Sequence, residues 1–156
     1  MTKMNSKSHT LETMVCFSVY AAGLAFNRLY RGLLDQFGLT YPQFLVLVTL
    51  QERGPQKVGD LGDALYLESN TLTPLLKRME ALNLLTRQRD KNDERVVQIA
   101  LTKAGSKLTQ NLGCVPPQVL AASQMSVKEI VALTAKLNTL AAGLREYSQS
   151  TQRSLS

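Results

Sequence analysis

Val58-Gly-Asp-Leu61-Gly-Asp-Ala64-Leu65, then Tyr66-Leu67-Glu68, then Ser69-Asn-Thr-Leu72-Thr-Pro-Leu75-Leu76-Lys-Arg-Met79-Glu-Ala-Leu82 is the stretch that decides the fold. Apolar residues recur at spacings of three and four in the first and last segments, as one face of a helix requires. The middle segment breaks that pattern and reads as a tight turn. Two β-rich runs follow, Leu84 to Arg89 and Val96 to Leu101. Asp90-Lys-Asn-Asp-Glu-Arg95 lies between them and is polar and charged throughout. Helix, turn, helix and charged hairpin make a winged helix-turn-helix. Such a device holds one helix in a DNA major groove and a loop near a minor groove.

On the second helix, Leu72, Leu75, Leu76, Met79 and Leu82 form the expected buried stripe. Ser69, Asn70, Thr71, Thr73, Lys77 and Arg78 form the opposite face, with small polar residues crowded at the N-terminal end. Asn can read adenine bidentately, and Thr can set its methyl against thymine. Pro74 falls about one turn in, where it removes one backbone bond. In the hairpin, Arg87 and Arg95 are the basic candidates for DNA contact. Asp93 is read as a brace that pairs with a nearby arginine, which leaves Arg95 for the wing tip, where a narrow minor groove attracts arginine.

Outward from this reader, the chain is 156 residues long, enough for one domain with a real core. Its net charge of +6 favours a polyanionic partner. No apolar run of signal-peptide or membrane-spanning length occurs, so a cytoplasmic protein without a membrane partner is expected. Two cysteines, Cys16 and Cys114, are too few for a disulfide scaffold. The single histidine, His9, leaves no Cys/His metal site, and no metal or cofactor is expected. Nothing in the chain sets up conventional enzyme chemistry. A thiol peroxidase that turns over would need a base or cation beside Cys16, and none adjoins it in sequence.

Leu11 to Phe37 carries a helical apolar pattern that Gly38 should stop. Thr40 should cap a second helix, with Pro42 in its first turn, running to about Glu52 before Gly54-Pro55. Thr102 should open a third long helix that Pro116-Pro117 must break or kink. Ser126 should cap a last helix to about Tyr147, and the polar Ser148 to Ser156 should be disordered. The first and last helices have no place in a minimal reader, yet their apolar stripes must be buried. The expected architecture is therefore mainly α. A single domain over 1–156 holds a winged helix-turn-helix at about 41–101, with dimerisation elements at about 10–37 and 102–147. A homodimer on double-stranded operator DNA would read two half-sites.

Asp93-Glu-Arg95-Val-Val-Gln-Ile99-Ala-Leu101-Thr102 resembles the wing of the MarR family of bacterial repressors. Leu65 to Glu80, Cys16-Phe-Ser-Val-Tyr20-Ala and Leu39-Thr-Tyr41-Pro-Gln43 resemble its OhrR-type branch, which senses organic hydroperoxides. The resemblance runs from Leu11 to about Leu144. It implies a repressor released when an organic hydroperoxide oxidises Cys16, with Tyr30 and Tyr41 placed to hydrogen-bond the thiolate. Tyr20 stands at i+4 from Cys16 on the same helix face. Cys114 is a possible resolving thiol; a disulfide between subunits and capture by a small cellular thiol both stay open.

Cys16 and Tyr30 stand 14 residues apart on the predicted first helix (16 to 30). At helical rise that separates them by about 21 Å, so Tyr30 can meet only the Cys16 of another subunit if the helix is straight. The rival within the same fold is a MarR-type repressor released by a small aromatic ligand, with Cys16 not sensing.

Overall fold

The computed structural model describes residues 10–89, 93 and 96–154. It divides into two compact units, one ending at Leu112 and one beginning at Gly113. In the first, a 3-10 turn at Leu11–Thr13 precedes α1 (Val15–Asp35), so the helix starts a turn later than the periodicity predicts. Of α1, only Leu34 is fully buried. The helix ends in a Schellman motif. Leu39 N–H donates to the Leu34 carbonyl at 3.3 Å and Gly38 N–H to the Asp35 carbonyl at 3.0 Å. Gly38 takes the left-handed conformation this demands, with φ of 64°.

The core forms around α2 (Tyr41–Arg53). The Thr40 backbone N–H donates to Gln43 Oε1 at 2.8 Å, one half of the capping box that sets its start. Phe44, Val46, Leu47 and Leu50 are buried from α2. Thr49 is also buried, and its hydroxyl donates to the Leu45 carbonyl at 2.8 Å, so no polar group is left open there. A two-residue strand, β1 (Gln56–Lys57), then leads into α3 (Val58–Leu65). The sequence offers no pattern for β1, because two residues cannot display an alternation.

Leu61 of α3 meets the core, and so do Leu72, Leu75, Leu76 and Met79 of α4 (Ser69–Ala81). Each such leucine contributes about 1.5–3 kcal/mol by leaving water. Leu82 departs from the expected stripe: it terminates α4 and is 58% exposed. The turn between α3 and α4 is a second Schellman motif, with Leu67 N–H donating to the Gly62 carbonyl at 3.0 Å. Here Tyr66 holds the left-handed position at φ 54°. That conformation costs a non-glycine residue of order 1 kcal/mol, so the surrounding packing imposes it.

β2 (Leu85–Arg89) and β3 (Val97–Leu101) form the hairpin, and β1 adds to the far side of β3, all antiparallel. The register sets Leu85 opposite Leu101, Arg87 opposite Ile99 and Arg89 opposite Val97. Of the loop between the two strands, Asp93 is among the described residues and Arg95 lies outside them.

α5 (Lys103–Asn111) leaves β3 directly. Thr102 caps it by accepting from Gly105 N–H at 2.9 Å. The same hydroxyl donates to the Asn83 carbonyl at 2.6 Å, and Thr102 N–H donates to the Leu84 carbonyl at 3.1 Å. Asn83 itself closes α4, in the left-handed conformation at φ 57°.

The long helix expected from Thr102 is instead two helices. α5 stops at Asn111, a 3-10 turn spans Leu112–Cys114, and α6 (Val115–Ser123) belongs to the second unit. Pro116 and Pro117 occupy the first turn of α6, where backbone N–H groups have no helical acceptor anyway, so the expected interruption is a break just before them and not a kink. α7 (Val127–Ser154) is capped by Ser126 and Glu129 in reciprocal bonds of 2.8 and 3.3 Å. It runs past Tyr147 to Ser154, which corrects the expectation of disorder over residues 148–154; residues 155 and 156 lie outside the described residues. The hydroxyls of Ser148 and Thr151 bond back to the carbonyls of Leu144 and Tyr147, so polar side chains are accommodated inside a helix.

A Cβ at Gly105 would sit inside the van der Waals envelope of the Leu84 carbonyl. Gly105→Ala should therefore destabilise the fold by about 1–3 kcal/mol. Gly59→Ala, where nothing lies within 4 Å of the added carbon, should be neutral or slightly stabilising. Chemical denaturation of the two variants, side by side, checks this.

Candidate DNA-reading face and thiol–tyrosine site

Packing on Leu72, Leu75, Leu76 and Met79 leaves the other side of α4 to solvent. Ser69, Asn70, Thr71, Lys77 and Arg78 are exposed, and Thr73 is half-buried. All six predicted reading residues thus share one outward surface. The Thr71 hydroxyl donates to Asn70 Oδ1 at 3.3 Å, which orients the carboxamide and leaves its N–H groups available. Pro74 lies inside α4 without ending it. Lacking an N–H, it cannot bond the Asn70 carbonyl, so that acceptor also stays open. Arg78 Nε donates to the Pro74 carbonyl at 3.3 Å, holding the stem of that side chain along its own helix.

Arg87 lies directly opposite Ile99, which is fully buried, and opposite residues of a ladder share a face. Arg87 therefore projects from the inner face of the sheet, not from a solvated rim. It is half-buried and its Nε is buried without a hydrogen-bond partner. Asp93 is exposed, and its carbonyl accepts the Val96 N–H at 2.9 Å.

Cys16 is the second residue of α1 and its thiol is exposed. Tyr20, one turn on, is 61% exposed, and its ring is tilted against Phe17 with centroids 6.4 Å apart. At the other end of α1, Tyr30 packs on Tyr41 with centroids 4.4 Å apart. Phe44 closes the cluster at 5.6 Å from Tyr30 and 6.2 Å from Tyr41, and Phe26 adds a ring 6.4 Å from Tyr30. Phe26 and Phe44 are part of this site although the sequence reading assigned neither of them to it. Their signal was present: Phe26 precedes Tyr30 by one helical turn, and Phe44 follows Tyr41 by three positions.

Burial pushes the Tyr30 phenol above its ordinary pKa, and neighbouring Tyr41 pushes it further. Burial does the same to Tyr41. Both phenols therefore keep their protons at neutral pH and can donate. α1 is unbroken from Val15 to Asp35, so the thiol and the tyrosine pair stand at opposite ends of one rod. The helical rise separates Cys16 from Tyr30 by about 21 Å. The structure brings Tyr30 and Tyr41 together and keeps Cys16 away from both within one chain.

Cys114, also exposed, sits just before α6 in the second unit. A groove of about 720 Å³ runs beside Tyr41, with Leu24, Arg28, Arg31, Leu39 and Pro42 among its walls. Among the described residues, no group of His, Cys, Asp and Glu could hold a metal ion, and no helix is long and apolar enough to cross a membrane.

Residues 28–112 match the family model of the SarA/Rot transcriptional regulators. The chain is 43% identical to the HTH-type transcriptional regulator TtmR of Methylorubrum extorquens (strain PA1), over 92% of this chain and 73% of that one. It is 42% identical to the organic hydroperoxide resistance transcriptional regulator of Bacillus subtilis (strain 168), over 83% and 88%. Among solved structures it is similar to AbfR of Staphylococcus epidermidis. Reduced AbfR bound to DNA aligns with a TM-score of 0.69 at 36% identity, over 86% of this chain and 94% of that one. AbfR in its disulfide-formed state aligns with a TM-score of 0.59 at 37% identity, over 83% and 91%.

The raised tyrosines have a pH consequence. A folded-state pKa above the unfolded one means the protonated form is favoured by folding, so that stability is fully present below the unfolded pKa of about 10 and is lost as pH rises past it. Unfolding midpoints should therefore fall above pH of about 10, and less steeply in Tyr30→Phe and Tyr41→Phe. Phenolate absorbance titration should show two late-ionising tyrosines, one of which is lost in each Phe variant.

Proposed function

This chain belongs to the SarA/Rot-type winged-helix transcriptional regulators of the MarR family, and on that premise we propose that it is a homodimeric repressor released from operator DNA when an organic hydroperoxide oxidises Cys16. It is a DNA-binding regulator, not an enzyme. The observation that carries the redox reading is the separation along α1. Tyr30 and Tyr41 form a tilted pair of protonated phenols, and the helical rise holds Cys16 of the same chain about 21 Å from Tyr30. Two α1 helices packed antiparallel would set each Cys16 against the partner's tyrosine pair.

Exposed apolar residues support the pairing of two chains. Val15, Val19, Leu24 and Phe26 on α1 are 62%, 44%, 42% and 43% exposed. On α7, Val131, Leu137 and Leu144 are 63%, 42% and 60% exposed. Faces of this kind on a protein of this size mark association surfaces. The relationship to the Bacillus hydroperoxide regulator supports the choice of signal.

In this reading, phenol hydroxyls of the partner's tyrosine pair, with Tyr20 alongside, donate to the Cys16 sulfur and favour its thiolate. The thiolate attacks the distal oxygen of the hydroperoxide. The O–O bond breaks, the sulfur becomes a sulfenic acid, and the alkoxide leaves and takes a proton to become the alcohol. Cys114 then attacks the sulfenic sulfur, releasing water and forming a disulfide between subunits. That step would need the two Cα atoms within about 7 Å. Closing that gap would shift the two reading helices out of register with the groove. Ser69, Asn70, Thr71 and Thr73 would face base edges, Lys77 and Arg78 the backbone, and Arg95, braced by Asp93, the minor groove beside the wing.

A second reading has one observation in its favour. The groove beside Tyr41, with Arg28 and Arg31 in its walls, is of a size that takes a small aromatic molecule. Release of DNA by such a ligand would need no oxidation.

Cys16→Ser should retain operator binding and lose release by cumene hydroperoxide, since a serine hydroxyl does not enter the cysteine oxidation ladder. Oxidised wild type should run as a covalent dimer on a non-reducing denaturing gel, and Cys114→Ser as a monomer. Peroxide release of DNA from the Cys16→Ser variant would sink the redox reading in favour of the ligand-gated one. Wild-type release by Cys114→Ser without added thiol would remove Cys114 from the switch.

A further inference from the structure

Two phenols held in ring contact are an oxidisable pair. Tyr30, in the last turns of α1, and Tyr41, at the start of α2, have centroids 4.4 Å apart and planes inclined by 43°. Packed aromatic rings ordinarily sit about 4.5–7 Å apart, so this contact lies at the short limit. Phe26 and Phe44 flank the pair but carry no hydroxyl hydrogen to give up.

Both phenols are half-buried, and neither hydroxyl is engaged in a hydrogen bond among the described residues. Burial keeps them protonated, so what they offer an oxidant is a hydrogen atom and not a phenolate. A hydroxyl hydrogen that no acceptor holds is open to abstraction by a radical. The other tyrosines, Tyr20, Tyr66 and Tyr147, are 61%, 70% and 73% exposed. They meet solvent oxidants more readily, but Tyr20 packs against a phenylalanine. The contact between Tyr30 and Tyr41 sets a second phenol beside the first one oxidised.

We propose that Tyr30 and Tyr41 are a one-electron oxidation site that closes a carbon–carbon bond between the two rings of one chain. The oxidant is an alkoxyl radical, which ferrous iron makes from an organic hydroperoxide by adding one electron across the O–O bond, leaving hydroxide and ferric iron. One alkoxyl radical takes the hydroxyl hydrogen of Tyr30 and another takes that of Tyr41, and each becomes an alcohol. Two phenoxyl radicals remain, with spin shared between the oxygen and the ring carbons ortho to it. One ortho carbon of each ring supplies an electron to the new bond. The ring hydrogens those carbons carried move to the oxygens and restore both phenols. The chain has lost two hydrogen atoms in all.

This goes beyond the thiol switch and does not rest on it. Oxidation of a thiol to a sulfenic acid takes two electrons and is reversed by reductant. A ring-to-ring carbon bond is not reversed, and it ties the end of α1 to the start of α2 across the turn at Gly38.

The test uses the full-length chain carrying Cys16→Ser and Cys114→Ser, because thiols return hydrogen to phenoxyl radicals and would mask the link. The protein is treated with tert-butyl hydroperoxide and ferrous iron. Trypsin cuts after Arg28, Arg31 and Arg53, which puts Tyr30 on peptide 29–31 and Tyr41 on peptide 32–53. Mass spectrometry should find these two peptides joined, lighter by two hydrogens than their sum. They should come from protein that still runs as a monomer on a denaturing gel and shows the fluorescence of linked phenols. The yield should hold over about a hundredfold range of protein concentration, because groups oriented within one chain meet at a high effective concentration. Tyr30→Phe and Tyr41→Phe keep the rings, so circular dichroism should be unchanged, and each should abolish the joined peptide and most of the fluorescence. Hydroperoxide without iron should leave the peptides separate.

Peptides 29–31 and 32–53 recovered unjoined after radical treatment overturn the proposal. So does a joined species found only in covalent dimers, since the bond would then lie between chains. Links through Tyr20, Tyr66 or Tyr147 in equal or greater yield, rising with protein concentration, would show that exposure governs the chemistry and would overturn the site. Joining by hydroperoxide in the absence of iron would overturn the one-electron step.

Discussion

The reader depends on one junction of four residues. Asn83 ends α4, Leu84 leads into β2, Thr102 follows β3, and Gly105 lies in the first turn of α5. The Thr102 hydroxyl binds the Asn83 carbonyl and accepts from Gly105, while its N–H binds the Leu84 carbonyl. The absence of a side chain at Gly105 lets the start of α5 reach that carbonyl. The end of the recognition helix, both ends of the hairpin and the start of the next helix are thus held at one point. Loosening it would free the wing from α4, and a reader whose two DNA-facing parts move independently loses its register on the duplex.

A second constraint comes from the length of α1. A helix is stiff over its 21 residues, so groups at its two ends cannot meet. An exposed thiol at one end and a packed pair of phenols at the other are complementary chemistry held apart. The distance turns a possible intrachain contact into a reason for two chains. In the proposed reading, oxidation of Cys16 would fall on the surface on which a second chain would lie.

Arg87 illustrates the difference between composition and placement. In the sequence it is one of several basic residues around a charged loop. In the sheet it stands opposite buried Ile99, and its Nε is out of contact with solvent. Helix boundaries show the same gap. Pro116 and Pro117 read as an interruption, yet they begin α6; the polar run after Tyr147 reads as disorder, yet it continues α7 to Ser154. Local composition is a poor guide where a residue is compatible with two states and neighbouring turns decide between them.

Periodicity by itself determined α3, the turn at Tyr66, α4 and the hairpin. Each of these has one apolar face, and the spacing of that face distinguishes helix from strand. It also determined the outward set on α4, because burying Leu72, Leu75, Leu76 and Met79 leaves Ser69, Asn70, Thr71, Lys77 and Arg78 no other side. The resemblance of the cysteine and tyrosine segments pointed to the thiol chemistry. Only the tertiary structure decided that Tyr30 and Tyr41 pack ring against ring, that Phe26 and Phe44 complete their cluster, that Leu82 stays in solvent and that Arg87 Nε is buried without a hydrogen-bond partner among the described residues. Those facts depend on strand register and on residues brought together from different elements, and a linear spacing contains neither.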